Sequence, residues 1–204
     1  AAISACEKGA EWQHALALFQ AMSSAMVPNS TSHNATISAL EKCGQWELAL
    51  SLFEAMPGSC EPSRFTYGAA ISACEKRGQW EHALRLFEDM PRSKVKPGII
   101  VYNSTISACE KGAQWQQALN LFFRLVEVKL HADIITYNAT ISACEKGGHW
   151  QYALSWFEAI LRARLSPSVI SYSATMKACD RGSQWQQAIN LFEAMLTATV
   201  EPDV

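Results

Sequence analysis

The chain has 204 residues, 49% of them hydrophobic and 18% charged, with a formal net charge of −2 at pH 7. The apolar content is enough for a core, and the near-neutral balance excludes the general electrostatic pull of strongly basic chains toward nucleic acid or membrane surfaces. No apolar run approaches the roughly 20 residues of a membrane-spanning helix, so membrane insertion is not expected.

From the N-terminus, Ile3–Gly9 reads ISACEKG and Trp12 follows it. The phrase returns at Ile106–Gly112 and Ile141–Gly147, with near-copies at Ile37–Cys43, Ile71–Arg77 and Met176–Gly182. The tryptophans that follow each copy, Trp12, Trp46, Trp80, Trp115, Trp150 and Trp185, are spaced by 34, 34, 35, 35 and 35 residues. They divide the chain into a partial unit 1–29 and units 30–63, 64–98, 99–133, 134–168 and 169–203. The chain opens inside a unit without a Met and closes at Val204, the first residue of another, so a piece of a longer protein is expected. A period of this length implies paired helices stacked as an all-α solenoid, because one unit cannot bury its own apolar face.

Unit 134–168 shows the expected elements. A first helix runs from about Thr136 to Lys146 and stops at Gly147–Gly148, where glycine supplies the left-handed turn. A second helix runs from about Trp150 to Leu161 and closes before a loop containing Pro167. In the second helices, Ala15, Ala49, Ala83, Ala118, Ala153 and Ala188 lie three residues after the Trp. Phe19, Phe53, Phe87, Phe122, Phe157 and Phe192 lie seven after it. Offsets 0, 3, 4 and 7 make one helical stripe, so the tryptophans are expected in the core rather than as stacking platforms.

The first helix has two faces. Tyr137, Ile141 and Cys144 form an apolar side, whereas Asn138, Ser142 and Lys146 form a polar line at i, i+4 and i+8. The last member is basic in every unit: Lys8, Lys42, Lys76, Lys111, Lys146 and Arg181. Each follows an acid, and each sits near a helix C-terminus, where a cation is favoured by about 0.3–1 kcal/mol.

Five of the seven cysteines (Cys6, Cys74, Cys109, Cys144 and Cys179) occupy one slot of the phrase, and the remaining copy has Leu40 there. A slot that accepts Cys or Leu is a packing position. With no CxxC pair, neither a metal nor a disulfide framework is expected. The sequons at Asn29, Asn34, Asn103 and Asn138 do not point to glycosylation, because three of them share one helical slot. The five histidines fall at scattered phases, and no Gly-rich phosphate loop or deaminase signature occurs. No catalytic residue, cofactor or small-molecule substrate is therefore expected.

A unit reading Tyr-Asn-x-x-Ile, then Lys, then Ala-Leu-x-Leu-Phe, then Pro and a small or acidic residue resembles the pentatricopeptide repeat. TYNATISACEKGGHWQYALSWFEAI and VYNSTISACEKGAQWQQALNLFFRL carry the pattern, and the resemblance spans the whole chain. The tetratricopeptide repeat would place its Trp and Leu-Gly in the first helix, whereas this Trp opens the second. The resemblance implies a right-handed superhelix in a chloroplast or mitochondrion, binding single-stranded RNA at one base per repeat for processing, stability or translation.

It also implies residue roles. Base-reading pairs are Asn34/Ser63, Gly68/Gly98, Asn103/Asp133, Asn138/Ser168 and Ser173/Asp203. The family pairing implies C or U, no reading, U, C or U, and G for successive bases. Phe65, Ile100, Ile135 and Ile170 would sandwich bases, with Thr31 a weak fifth, and Lys42, Lys76, Lys111, Lys146 and Arg181 would meet phosphates. Gly68/Gly98 has no side chain to read with, and His33 replaces the usual Tyr beside Asn34. The near-neutral charge and the blank glycine pair leave open a scaffold contacting protein subunits of a larger organellar assembly.

Overall fold

A computed structural model describes residues 2–9, 11–25, 28–57 and 60–198. Among these residues there are twelve α-helices and no strand. They are α1 (Ala2–Lys8), α2 (Trp12–Ala25), α3 (Ser30–Lys42), α4 (Trp46–Glu54), α5 (Arg64–Lys76), α6 (Trp80–Arg92), α7 (Ile99–Lys111), α8 (Trp115–Glu127), α9 (Ile134–Lys146), α10 (Trp150–Arg162), α11 (Val169–Arg181) and α12 (Trp185–Thr197). No described helix is long and apolar enough to cross a membrane.

Each repeat is one helix-turn-helix pair. α9 starts two residues before the expected Thr136, because Asp133 is its N-cap: Thr136 N–H donates to the Asp133 carboxylate at 2.9 Å. Ser63 and Ser168 cap α5 and α11 in the same way, with Thr66 and Ser171 closing reciprocal capping boxes. Between the paired helices, Gly44 N–H donates to Glu41 O and Gln45 N–H to Leu40 O, at 3.0 and 2.9 Å. This double closure needs a left-handed residue. Gly44, Gly78 and Gly148 supply it at φ 66, 68 and 76°, whereas Ala113 and Ser183 adopt φ 55 and 56° without glycine's freedom.

The chain forms two compact units, residues 1–108 and 109–204, with the division inside α7. In the first, α1, α3 and α5 pack side by side as one layer, and α2 and α4 each pack on the first helix of their own repeat and of the next. In the second, α9 packs on α11, and α10 on both. The alanine stripe sits where the helices approach: Ala15, Ala49, Ala83, Ala118 and Ala153 are fully buried. The phenylalanines cross from one repeat to the next. Phe53 meets Tyr67, Phe87 meets Tyr102, Phe122 meets Tyr137 and Phe157 meets Tyr172, at centroid distances of 4.9, 4.9, 5.1 and 4.9 Å. His33 fills the Tyr slot and takes the same contact from Phe19 at 4.8 Å. Each such pair contributes about 0.5–1.5 kcal/mol beyond its area.

The tryptophans depart from expectation. They are half-buried lids, and Trp185 is 63% exposed. Trp115 lies over the C-cap of the following first helix, so close that a Cβ on Gly147 would come within 2.6 Å of its Cδ1. Cys74, Cys109, Cys144 and Cys179 are fully buried, as is Leu40 in the same slot. Burial pushes the Cys109 and Cys144 thiols up to about 12 and the Cys74 thiol to about 11.

Candidate functional site

The odd-numbered helices carry the site. At their second helical residue, Phe65, Ile100, Ile135 and Ile170 are 62%, 75%, 59% and 61% exposed. Large apolar side chains held in solvent once per repeat, on helices whose opposite face is core, leave apolar surface uncovered on a regular spacing. Thr31 is exposed at the same position.

Three residues further on is the Asn slot, and here the structure joins residues that are distant in sequence. Asn138 Nδ2–H donates to Ser168 Oγ at 3.1 Å, and its Oδ1 accepts from Ser171 Oγ–H at 2.6 Å. The implied pair Asn138/Ser168 is thus in direct contact. One amide N–H and one carbonyl lone pair of Asn138 stay uncommitted. Asn34 Oδ1 accepts from Thr66 Oγ–H at 2.6 Å, and the Thr66 hydroxyl in turn lies 3.0 Å from Ser63 Oγ, so Asn34/Ser63 is joined through one hydroxyl. Ser63, Asp133 and Ser168 all serve as N-caps, so the closing residue of these three implied pairs also starts the next helix. Asn103 lies on α7, half-buried. Ser173 Oγ–H turns back to Ile170 O at 3.2 Å. Asp203 lies outside the described residues.

The cations have partners that the sequence reading did not assign. Lys42, Lys76, Lys146 and Arg181 approach Glu7, Glu41, Glu110 and Glu145 of the preceding repeat at 3.5, 2.6, 2.6 and 3.0 Å. Lys42, Lys76 and Arg181 also donate to the main-chain oxygens of Glu7, Glu41 and Glu145. Ser38, Ser72 and Ser107 donate to the carboxylates of Glu7, Glu41 and Glu75. The Ser and Lys of the polar line therefore bind one repeat to the next, and the row of cations is interleaved with a row of acids. Lys111 is exposed on α7. The sequence holds the signal for this ladder, because an acid precedes every cation and the repeat returns the next cation 35 or 36 residues later.

Gly68 and Gly98 line a cleft of about 530 Å³ together with Phe65, Ile100 and Arg64. A Cβ on Gly68 would meet only Val101, at 3.8 Å.

Family models match successive stretches: PPR repeat at 31–60 and 100–130, PPR repeat family at 62–111, and Pentatricopeptide repeat domain at 121–181. Among curated protein sequences nothing matches. Among solved structures, the pentatricopeptide repeat protein PPR10 in complex with an 18-nt psaJ RNA element is similar over 100% of this chain. The TM-score is 0.84 at 23% identity, and the chain covers 31% of that protein. The pentatricopeptide repeat protein PPR10 from maize gives 0.80 at 23% identity, over 98% of this chain and 29% of the other. The PPR domain of Arabidopsis thaliana protein-only RNase P 1 in complex with tRNA gives 0.70 at 13% identity, over 82% of this chain and 89% of that domain. These likenesses establish the fold, a stack of helix-turn-helix repeats.

Proposed function

Because the chain belongs to the pentatricopeptide repeat family, we propose that it binds single-stranded RNA along the odd-helix face, one base per repeat over units 30–63 to 169–203. The observation that carries the proposal is the contact between Asn138 and Ser168, which puts an amide and a hydroxyl from the two ends of one repeat at one point. The RNA-bound state of the similar PPR10 and RNase P 1 structures supports the same reading.

The chemistry divides by position. Ile135 and Ile170 supply apolar surface for the base faces, as Phe65 and Ile100 do in the first unit. An asparagine amide both donates and accepts, as a pyrimidine edge requires. The Asp133 carboxylate can accept the ring N–H that U and G have and that C and A lack. Base edges would be read as C or U, then U at unit 99–133, C or U at 134–168 and G at 169–203. Gly68/Gly98 adds no reading side chain. Lys42, Lys76, Lys111, Lys146 and Arg181 would face phosphates, which position without specifying. For those seen in ion pairs, a phosphate must compete with a carboxylate. Residence in a chloroplast or mitochondrion, and a part in RNA processing, stability or translation, belong to this same reading.

The ion-pair ladder favours a second reading, a scaffold contacting protein, because it cancels charge that would attract RNA. Selection of a random RNA pool on the immobilised chain, followed by sequencing, decides between them. RNA reading gives enrichment of the stated bases in register, and a scaffold gives no enriched sequence.

A further inference from the structure

The repeat at 64–98 lacks both reading side chains, yet its cleft is the open space between two exposed apolar residues, Phe65 and Ile100. Arg64, the first residue of α5, lines the same cleft. Its Nη1 lies 3.1 Å from the point where a Cβ on Gly98 would stand, so the guanidinium rests against the reading position that the glycine leaves empty. Among the described residues Arg64 makes no hydrogen bond or ion pair, whereas Lys42, Lys76, Lys146 and Arg181 are all held by glutamates. The one acid lining the cleft, Glu41, is engaged by Lys76 and Ser72.

We propose that Arg64 takes over base reading in this repeat and selects guanine. This assignment rests on the RNA-binding reading above. A guanidinium carries five donors and no acceptor. Guanine offers two adjacent acceptors, O6 and N7, and the bidentate pairing of arginine with them is the commonest specific base contact. With no side chain at residues 68 and 98, the cleft has room for a purine between Phe65 and Ile100. Gly68 and Gly98 then act as the space that admits the larger base and the arginine together.

The test uses four RNAs that differ only in the base facing unit 64–98, with fluorescence anisotropy on the whole chain. Guanine should bind about tenfold tighter than the other three, the discrimination expected of a bidentate contact. Arg64→Ala should equalise the four RNAs while leaving the preference at unit 134–168 intact. Arg64→Lys should keep the salt dependence and weaken the guanine preference, since an ammonium lacks the rigid planar fork. Equal binding of the four RNAs by the unmodified chain overturns the assignment, as does a uniform loss with Arg64→Ala, which marks a phosphate contact. If no RNA of any sequence binds at low salt, the RNA reading itself fails and takes the assignment with it. Preference at the other repeats but not here overturns the assignment alone.

Discussion

Lys76 Nζ lies 2.6 Å from the Glu41 carboxylate and 3.0 Å from the Glu41 main-chain oxygen, one repeat upstream. A cation at the end of α5 thus neutralises an acid and helps cap the C-terminus of α3, the first helix of the preceding repeat. The same residue cannot hold that acid and a phosphate at full strength at once.

Glu41→Gln and Glu110→Gln separate the two roles. Each removes one partner from a half-exposed pair, and each should cost about 0.5–1 kcal/mol in urea unfolding. RNA affinity should rise at the same time, with the salt slope steepening by about 0.7 for each freed phosphate contact. Affinity that falls together with stability would mark the cations as structural only.

Ser168 caps α11 and, on the proposed reading, also helps to read a base, whereas Asn138 caps no helix. Ser168→Ala should lower stability by about 1 kcal/mol through loss of the α11 N-cap, besides changing base preference at unit 134–168. Asn138→Ser should shift the preference with the cap intact. A helicity melt and a binding titration on the two variants show the split.

Two positions in the helix turns should respond in opposite directions. Gly147→Ala drives a Cβ to within 2.6 Å of Trp115 Cδ1, and displacing the indole should cost about 1–3 kcal/mol. Ser183 sits at φ 56°, so Ser183→Gly relieves a left-handed backbone and should stabilise by up to about 1 kcal/mol after glycine's extra unfolded-state entropy is counted. Thermal unfolding of both variants checks the signs.

The buried thiols make stability depend on alkaline pH. Raised pKa values mean that the folded chain keeps these protons to higher pH than the unfolded chain does. Their contribution is therefore complete below the unfolded thiol value and is lost as pH climbs toward about 12. The urea midpoint should fall between about pH 9 and 11, and Cys144→Leu, copying Leu40, should reduce that fall. In the native state a thiol reagent should modify the half-buried Cys6 and Cys43 and spare Cys74, Cys109, Cys144 and Cys179.

The paired helices were legible because tryptophan spacing and the Ala–Phe stripe are local periodic signals. The buried cysteines were legible because Leu40 shares their slot. The tryptophans were misplaced because a stripe shows which face a residue takes, not how far the neighbour covers it. Trp115 tops its stripe and meets the C-cap of the following repeat's first helix together with His149 and Tyr152 at the start of its second. The start of α9 was missed although Asp133 and Thr136 spell a capping box. The contact of Asn138 with Ser168 was implied by resemblance alone, since residues 30 apart carry no local mark of touching. The ladder was missed because adjacent residues such as Glu41 and Lys42 were read within one helix, whereas each bonds to a different neighbour.

The most direct test is anisotropy of the chain with short single-stranded RNAs at two salt concentrations, beside a variant carrying Asn103→Ser and Asn138→Ser. If the odd-helix face reads bases, pyrimidines are preferred at units 99–133 and 134–168, and the variant shifts those two positions toward purines. Binding then weakens with salt at a log slope of about −0.7 per phosphate contact. Absence of binding at low salt, or binding whose base preference the variant leaves unchanged, contradicts RNA reading by these repeats.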